Sequence, residues 1–260
     1  MPDPGRVAPP TPGPTRPARR LSASTWPELS DVARSGGWLV IPLGSTEQHG
    51  PHLPVTTDTD IAVAIAEGAA ARDGGLTLAP AVAYGASGEH QGFPGTLSIG
   101  QDATQLLLLE LGRSAATDFA GTVVVSAHGG NAAPVARAMA RLAEEGHPVW
   151  SWSPSWSGDL HAGRTETSLM LAIAPDRVHL ELAGSGDRRG LGELLPLLRA
   201  GGVRSVSANG VLGDPAGSSA DEGARLVDLA VEELLGELAA RRAGATRGLG
   251  RSDAPSGARR

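Results

Sequence analysis

The run Thr122-Val-Val-Val-Ser126, followed at once by Ala127-His128-Gly129-Gly130-Asn131, limits the fold more than any other feature of the chain. Branching at Cβ favours extended backbone. A run with no polar alternation must be covered on both faces, as an inner strand of a parallel sheet is. Trp38 to Leu43 (WLVIPL) reads as a second buried strand, Thr77 to Val82 as a weaker one and Val149 to Trp152 as a fourth. Between and after them lie helix-compatible segments: Asp60 to Ala71, Thr104 to Asp118, Pro134 to Glu145, Glu166 to Ile173 and Asp221 to Ala240, several with apolar residues at three- and four-residue spacing. Strands alternating with helices imply β-α-β units, hence an α/β fold with a mostly parallel sheet flanked by helices on both faces. No internal repeat is visible.

Nothing in the middle of the 260 residues resembles a linker, so a single domain over residues 21–241 is expected. Residues 1–20 (Pro, Arg, Thr, Gly) and 242–260 (Gly, Ser, Arg) lack periodicity and read as disordered tails. The N-terminal stretch has no apolar signal-peptide core, and no run is long and apolar enough for a bilayer, so a cytoplasmic protein without a membrane partner is expected. With 22 Lys+Arg against 28 Asp+Glu, the chain lacks the clustered positive field that nucleic acid requires. There is no cysteine, so any metal must be held by imidazole and carboxylate.

Both of the clearest strands run into polar, glycine-bearing loops, and in open α/β sheets ligands bind beyond the carboxyl ends of the strands. After Leu43 come Glu47, His49 and Asp58, each a ligand suited to Zn, Fe or Mn. Glu-x-His places two donors on one side of an extended loop, and Pro51 and Pro54 stiffen the return to Asp58. Each residue alone has a plain alternative: an exposed Glu, a loop His, an Asp capping the helix near Asp60. Their joint occurrence at a strand end favours a metal site. His128, beside Gly129-Gly130, is a further ligand from a separate segment. Asn131 is expected to cap the following helix. In His161-Ala-Gly-Arg-Thr-Glu166-Thr-Ser, Glu166 either complements a helix dipole or supplies the second carboxylate of a two-metal site, with His161 placed to shuttle a proton.

The segments GSTEQHGPHLPVTTDTD, YGASGEHQGFPGT, SAHGGN and HAGRTETS resemble, in order and spacing, the creatininase family, from about Trp38 to about Pro175. The resemblance implies a parallel-sheet α/β sandwich, homo-oligomers such as hexamers, and hydrolysis of small amide C–N bonds at a centre of two divalent metal ions per subunit. Carried over by position, Glu47 and His128 hold one metal, His49 the other, and Asp58 bridges them; His161 matches the catalytic histidine. Creatininase proper completes its second metal with a glutamate two residues after the histidine, where this chain has Gly130. That departure argues against creatinine as substrate and makes Glu166 the replacement ligand.

Arg164 and the distal GGVRSVSANGVLGDPAGSSADEG (Gly201 to Gly223) resemble the subgroup of the family that is encoded with mycofactocin biosynthesis. That likeness implies a peptidase acting on the modified precursor peptide and releasing its cyclised Val-Tyr remnant. Glu89 and His90 are candidate pocket residues with a solvated loop as the alternative, and Trp152 and Trp156 are candidates for an apolar wall, with core packing as theirs. The competing functions are a small-molecule amidohydrolase acting on a cyclic amide or formamide, and a binding protein that uses its metal without catalysis.

Overall fold

The computed structural model describes residues 16–249, with side chains as far as residue 243. Four strands, β1 (Trp38–Leu43), β2 (Leu76–Leu78), β3 (Gly121–Ser126) and β4 (Val149–Trp152), form one parallel sheet in the order β2-β1-β3-β4. In the register, Trp38 pairs with Leu76 on one side and Gly121 on the other, and Thr122 with Val149. Among the described residues there are seven α-helices: α1 (Trp26–Arg34), α2 (Thr57–Arg72), α3 (Gly100–Ala115), α4 (Ala132–Glu144), α5 (Arg164–Ile173), α6 (Leu191–Gly201) and α7 (Ala220–Leu249).

Alternation along β1 and β3 divides the core in two. Val40, Val123 and Val125 meet Ile61 and Ile65 of α2, Leu169 of α5 and Leu234 of α7 on one face. Leu39, Ile41, Leu43 and Val124 meet Leu108 of α3 and Leu142 of α4 on the other. Both faces are covered, which explains why these strands are continuously apolar. Pro42 sits inside central strand β1, a position that ordinarily costs a ladder bond. Its carbonyl accepts from Val82 N–H at 2.9 Å. A residue's N and C=O point to the same side of a strand, so its missing donor falls where β2 has already left the ladder.

The four expected strands are present, with β2 shorter than its reading. Helices α1 and α6 were not anticipated. Helix α1 buries only Val32 but carries a capping box, Thr25 with Glu28, that marks its start. Helix α6 contains Pro196, a breaker in any local reading. The tail boundaries differ from the structure in two places. Residues 16–20 are ordered against the edge of β2, where Leu78 N–H donates to the Arg19 carbonyl at 2.8 Å and Arg20 pairs with Glu67. Helix α7 continues beyond 241 to Leu249. The remainder of both expected tails, residues 1–15 and 250–260, lies outside the described residues. No helix among those described is long and apolar enough to cross a membrane.

Candidate metal centre

Segments following all four strands converge beyond the carboxyl ends of the sheet. The loop after β1 brings Glu47 and His49 and leads into α2, whose first turn carries Asp58. The segment after β2 supplies Glu89 and His90, the turn after β3 His128, and the segment after β4 His161 and Glu166. Glu47, His49, Asp58, His90, His128 and His161 are all buried.

Asp58 lies between the two loops: Oδ1 is 3.2 Å from His49 Nε2 and Oδ2 is 3.3 Å from His128 Nδ1. Glu47 Oε2 is 3.3 Å from His128 Nε2, and Glu166 Oε2 is 3.9 Å from His49 Nε2. Two groups therefore have candidate ligand atoms within 4.8 Å of one another and share Asp58, namely Glu47/Asp58/His128 and His49/Asp58/Glu166; Glu47/His49/His161 forms a third. The backbone orients the rings. His49 Nδ1 donates to the Glu47 carbonyl at 3.1 Å and His128 Nε2 to the Ala86 carbonyl at 3.1 Å, which turns the other nitrogen of each ring toward Asp58, His49 Nε2 hydrogen-bonding to its Oδ1 at 3.2 Å.

These residues fit a divalent cation. Glu47 Oε1 and Asp58 Oδ2 are buried without a hydrogen-bond partner. His90 Nε2 approaches the first at 3.2 Å and His128 Nδ1 the second at 3.3 Å, close enough for charge attraction but not aligned as hydrogen bonds. Buried carboxylate oxygens left this way are costly, and a cation would satisfy both. Burial pushes Glu47 up to about 7, more than His128 and His49 hold it down. Burial pulls on His49 too, but Asp58, Glu166 and Glu47 outweigh it and raise the ring to about 10. His90 goes the other way, to about 3, through burial and the neighbouring His49 and His128, and His161 falls below its usual range for the same reasons. Strong, opposed shifts concentrated in one cleft mark a functional site.

The cluster forms the floor of a cavity of about 910 Å³, walled by Leu191, Leu195 and Leu198 of α6 and by Leu160 and Leu212. Glu89 and His90 line it. Trp156 borders a smaller adjoining recess with Glu166, whereas Trp152 is packed in the core against the sheet and lines neither. Gly130 faces the cavity floor. A Cβ there would lie 2.5 Å from the Ala86 carbonyl oxygen and closer still to Glu89 Oε1 and His128 Nε2, so the Glu89 carboxylate fills the space a side chain at 130 would need.

Asn131 does not cap α4. Its Oδ1 accepts from Ala86 N–H and its Nδ2 donates to the Gly44 carbonyl, both at 2.9 Å, tying the segments after β2, β1 and β3 together. Gln48 and helix α6 were also missed. Gln48 carries only the faint signal of alternation, since it must point away from its neighbours Glu47 and His49.

Comparison with known proteins agrees with this geometry. The Creatininase family model, described as creatinine amidohydrolase, matches residues 22–238. A Mycobacterium ulcerans protein named mycofactocin precursor peptide peptidase is 48% identical over 225 residues, 83% of this chain and 86% of that one. The crystal structure of a creatinine amidohydrolase superposes with a TM-score of 0.72 at 25% identity, over 85% of this chain and 96% of the other. A structure described as creatininase Mn gives 0.73 at 24% identity, over 85% and 97%. With the sheet order, the shared Asp58 and a family match along almost all of the described residues, the chain belongs to the creatininase family.

Proposed function

We propose that this chain is a metal-dependent peptidase that cleaves the modified mycofactocin precursor peptide and releases its C-terminal Val-Tyr-derived lactam. The observation that carries the reading is the 48% identity to the Mycobacterium ulcerans peptidase across most of both chains. Supporting it, a cavity of about 910 Å³ with a wall of leucines is roomy for a peptide end and large for a creatinine-sized ring.

In this reading Glu47, His128 and Asp58 would hold one divalent ion, and His49, Asp58 and Glu166 the other, the metal being Zn, Fe or Mn. Bound there, the ions would polarise the scissile carbonyl and acidify the attacking water. The chain's own residues do the rest. Asp58, which belongs to both ligand groups, would be shared between them. His161, neutral in its buried position, takes the proton from the attacking water and returns it to the leaving amine. Leu191, Leu195 and Leu198 receive the apolar remnant, Glu89 and His90 border the reacting end, and Trp156 flanks it. The reading also takes residues 21–241 as one hydrolase domain, working in the cytoplasm as a homo-oligomer, a hexamer by family likeness.

The test uses enzyme reconstituted separately with Zn, Fe and Mn and offered modified precursor peptide, unmodified peptide, a small formamide and creatinine, with products read by mass spectrometry. Cleavage of the modified peptide alone is expected. Efficient turnover of the formamide or creatinine with the peptide intact would install the small-molecule amidohydrolase instead, and peptide binding without hydrolysis of any substrate would leave a binding protein.

A further inference from the structure

Gln48 lies between Glu47 and His49 in the sequence and is buried, and its side-chain amide meets His90 and His161. Its amide orientation is fixed by two backbone groups whose roles are unambiguous. Gly50 N–H can only donate, and it meets Gln48 Oε1 at 2.8 Å; the Gly210 carbonyl can only accept, and it meets Gln48 Nε2 at 3.0 Å. The second hydrogen of Nε2 then points to His90 Nδ1 at 2.9 Å, which must be an acceptor. His90 consequently carries its proton on Nε2, the nitrogen 3.2 Å from Glu47 Oε1.

The backbone of the same residue settles His161. Its Nε2 lies 2.7 Å from the Gln48 carbonyl oxygen, an obligate acceptor, so Nε2 holds the proton and Nδ1 the lone pair. The 3.1 Å approach of Gln48 Nε2 to His161 Nε2 is therefore a contact between two donors rather than a hydrogen bond. That lone pair on Nδ1 is 3.6 Å from Glu47 Oε1. The His90 and His161 rings are tilted by 43° with centroids 4.3 Å apart. Gly210 makes room for this arrangement: its φ of 80° suits glycine, and a Cβ there would overlap the Gln48 amide.

We propose that Gln48 is a positioning residue: it holds His90 and His161 in one tautomer while they face Glu47 from opposite ring edges, one presenting an N–H and the other a lone pair. His161 thereby enters the reaction as a proton acceptor, while His90 steadies the Glu47 carboxylate and does not compete for the proton. The assignment rests on the site's geometry and on the hydrolytic role proposed above, and is independent of which amide is cleaved.

Long-range 1H–15N spectra of zinc-loaded protein carrying 15N-histidine test it without substrate. In the wild type, both His90 and His161 should be protonated at Nε2; a proton on Nδ1 of either would overturn the proposal whatever any variant does. Gln48→Glu keeps the bond from Gly50 N–H but has no proton to offer His90. Its His90 should gain a proton at Nδ1 while His161, held by a backbone carbonyl, is unchanged. Zinc content should stay at the wild-type value and kcat should fall on the order of 10- to 100-fold, the range for groups that orient a site's histidines. A His90 still carrying only an Nε2 proton in Gln48→Glu would also refute the assignment. If the modified peptide proves not to be the substrate, the spectra stand unaffected, so the two failures are distinguishable.

Discussion

Gly130 offers the sharpest test of how tightly the site is built. Its backbone lies outside the left-handed region, so Gly130→Ala introduces no conformational strain and the effect comes from space alone. The added methyl would stand 2.5 Å from the Ala86 carbonyl oxygen where ordinary contact begins at 3.4 Å. Glu89 is about one-third exposed and can swing aside. The Ala86 backbone cannot do so cheaply, because Asn131 holds its N–H and the His128 ring donates to its carbonyl. The turn bearing His128 must therefore shift by nearly 1 Å relative to residues 86–90. Overpacking of this kind costs about 1–3 kcal/mol, which for a domain of this size lowers Tm by roughly 2–4 °C per kcal/mol. A displacement near 1 Å at a catalytic centre costs on the order of 100-fold in rate. Calorimetry of the metal-loaded protein and single-turnover cleavage of the modified peptide measure both effects. Wild-type Tm together with wild-type turnover would refute the argument that residue 130 has no room for a side chain.

Other expectations follow from the same geometry. Glu166→Gln should bind about one ion per chain where the wild type binds two, as read by elemental analysis; full occupancy would remove Glu166 from the centre. In the metal-free protein Glu47 is raised from 4.5 to about 7 and His49 from 6.5 to about 10, so that protein loses stability as pH rises from about 4.5 to about 10, through Glu47 up to about 7 and through His49 from about 6.5 upward. The same groups must shed protons to bind an ion, so metal affinity should increase over that window, with proton release detectable by calorimetry in buffers of different ionisation enthalpy; a pH-independent affinity would contradict it. Asn131→Ala leaves Ala86 N–H and the Gly44 carbonyl unpaired in the interior, each costing about 1–3 kcal/mol, and thermal melting should show the loss. Leu195→Asp, on a partly exposed side chain of the cavity wall, should raise KM for the peptide several-fold and leave Tm nearly unchanged; an unaltered KM would move the substrate off α6.

The sheet was legible because its signals are local. Val123 to Val125 and Trp38 to Leu43 declare buried strands without reference to anything distant. The candidate ligands could be singled out for a related reason: carboxylates and histidines gathered at strand ends have few other uses. What could not be read were relations across the chain. That Asn131 would bind Gly44 and Ala86 rather than its own helix depends on three segments meeting, as does the placing of Glu89 in the space beside Gly130. Trp152 was ambiguous because an aromatic residue in a strand can face either core or cleft, and only the register of β4 on β3 decides. Helix α6, which makes the cavity wall, was hidden by Pro196; its leucine spacing outweighs that breaker only once it packs over the site.

Residues 16–20 lie along the free side of β2, and their place in the order of synthesis has a consequence for how the chain escapes association with its neighbours. A bare strand edge is a template for other chains, most dangerous while a polypeptide is only partly made. On the ribosome the covering segment emerges well before Leu76–Leu78, so β2 finds its cover already waiting when it leaves the tunnel. The inner pairing has no such advantage, because β1 must wait for β3, more than seventy residues downstream, before both of its sides are filled.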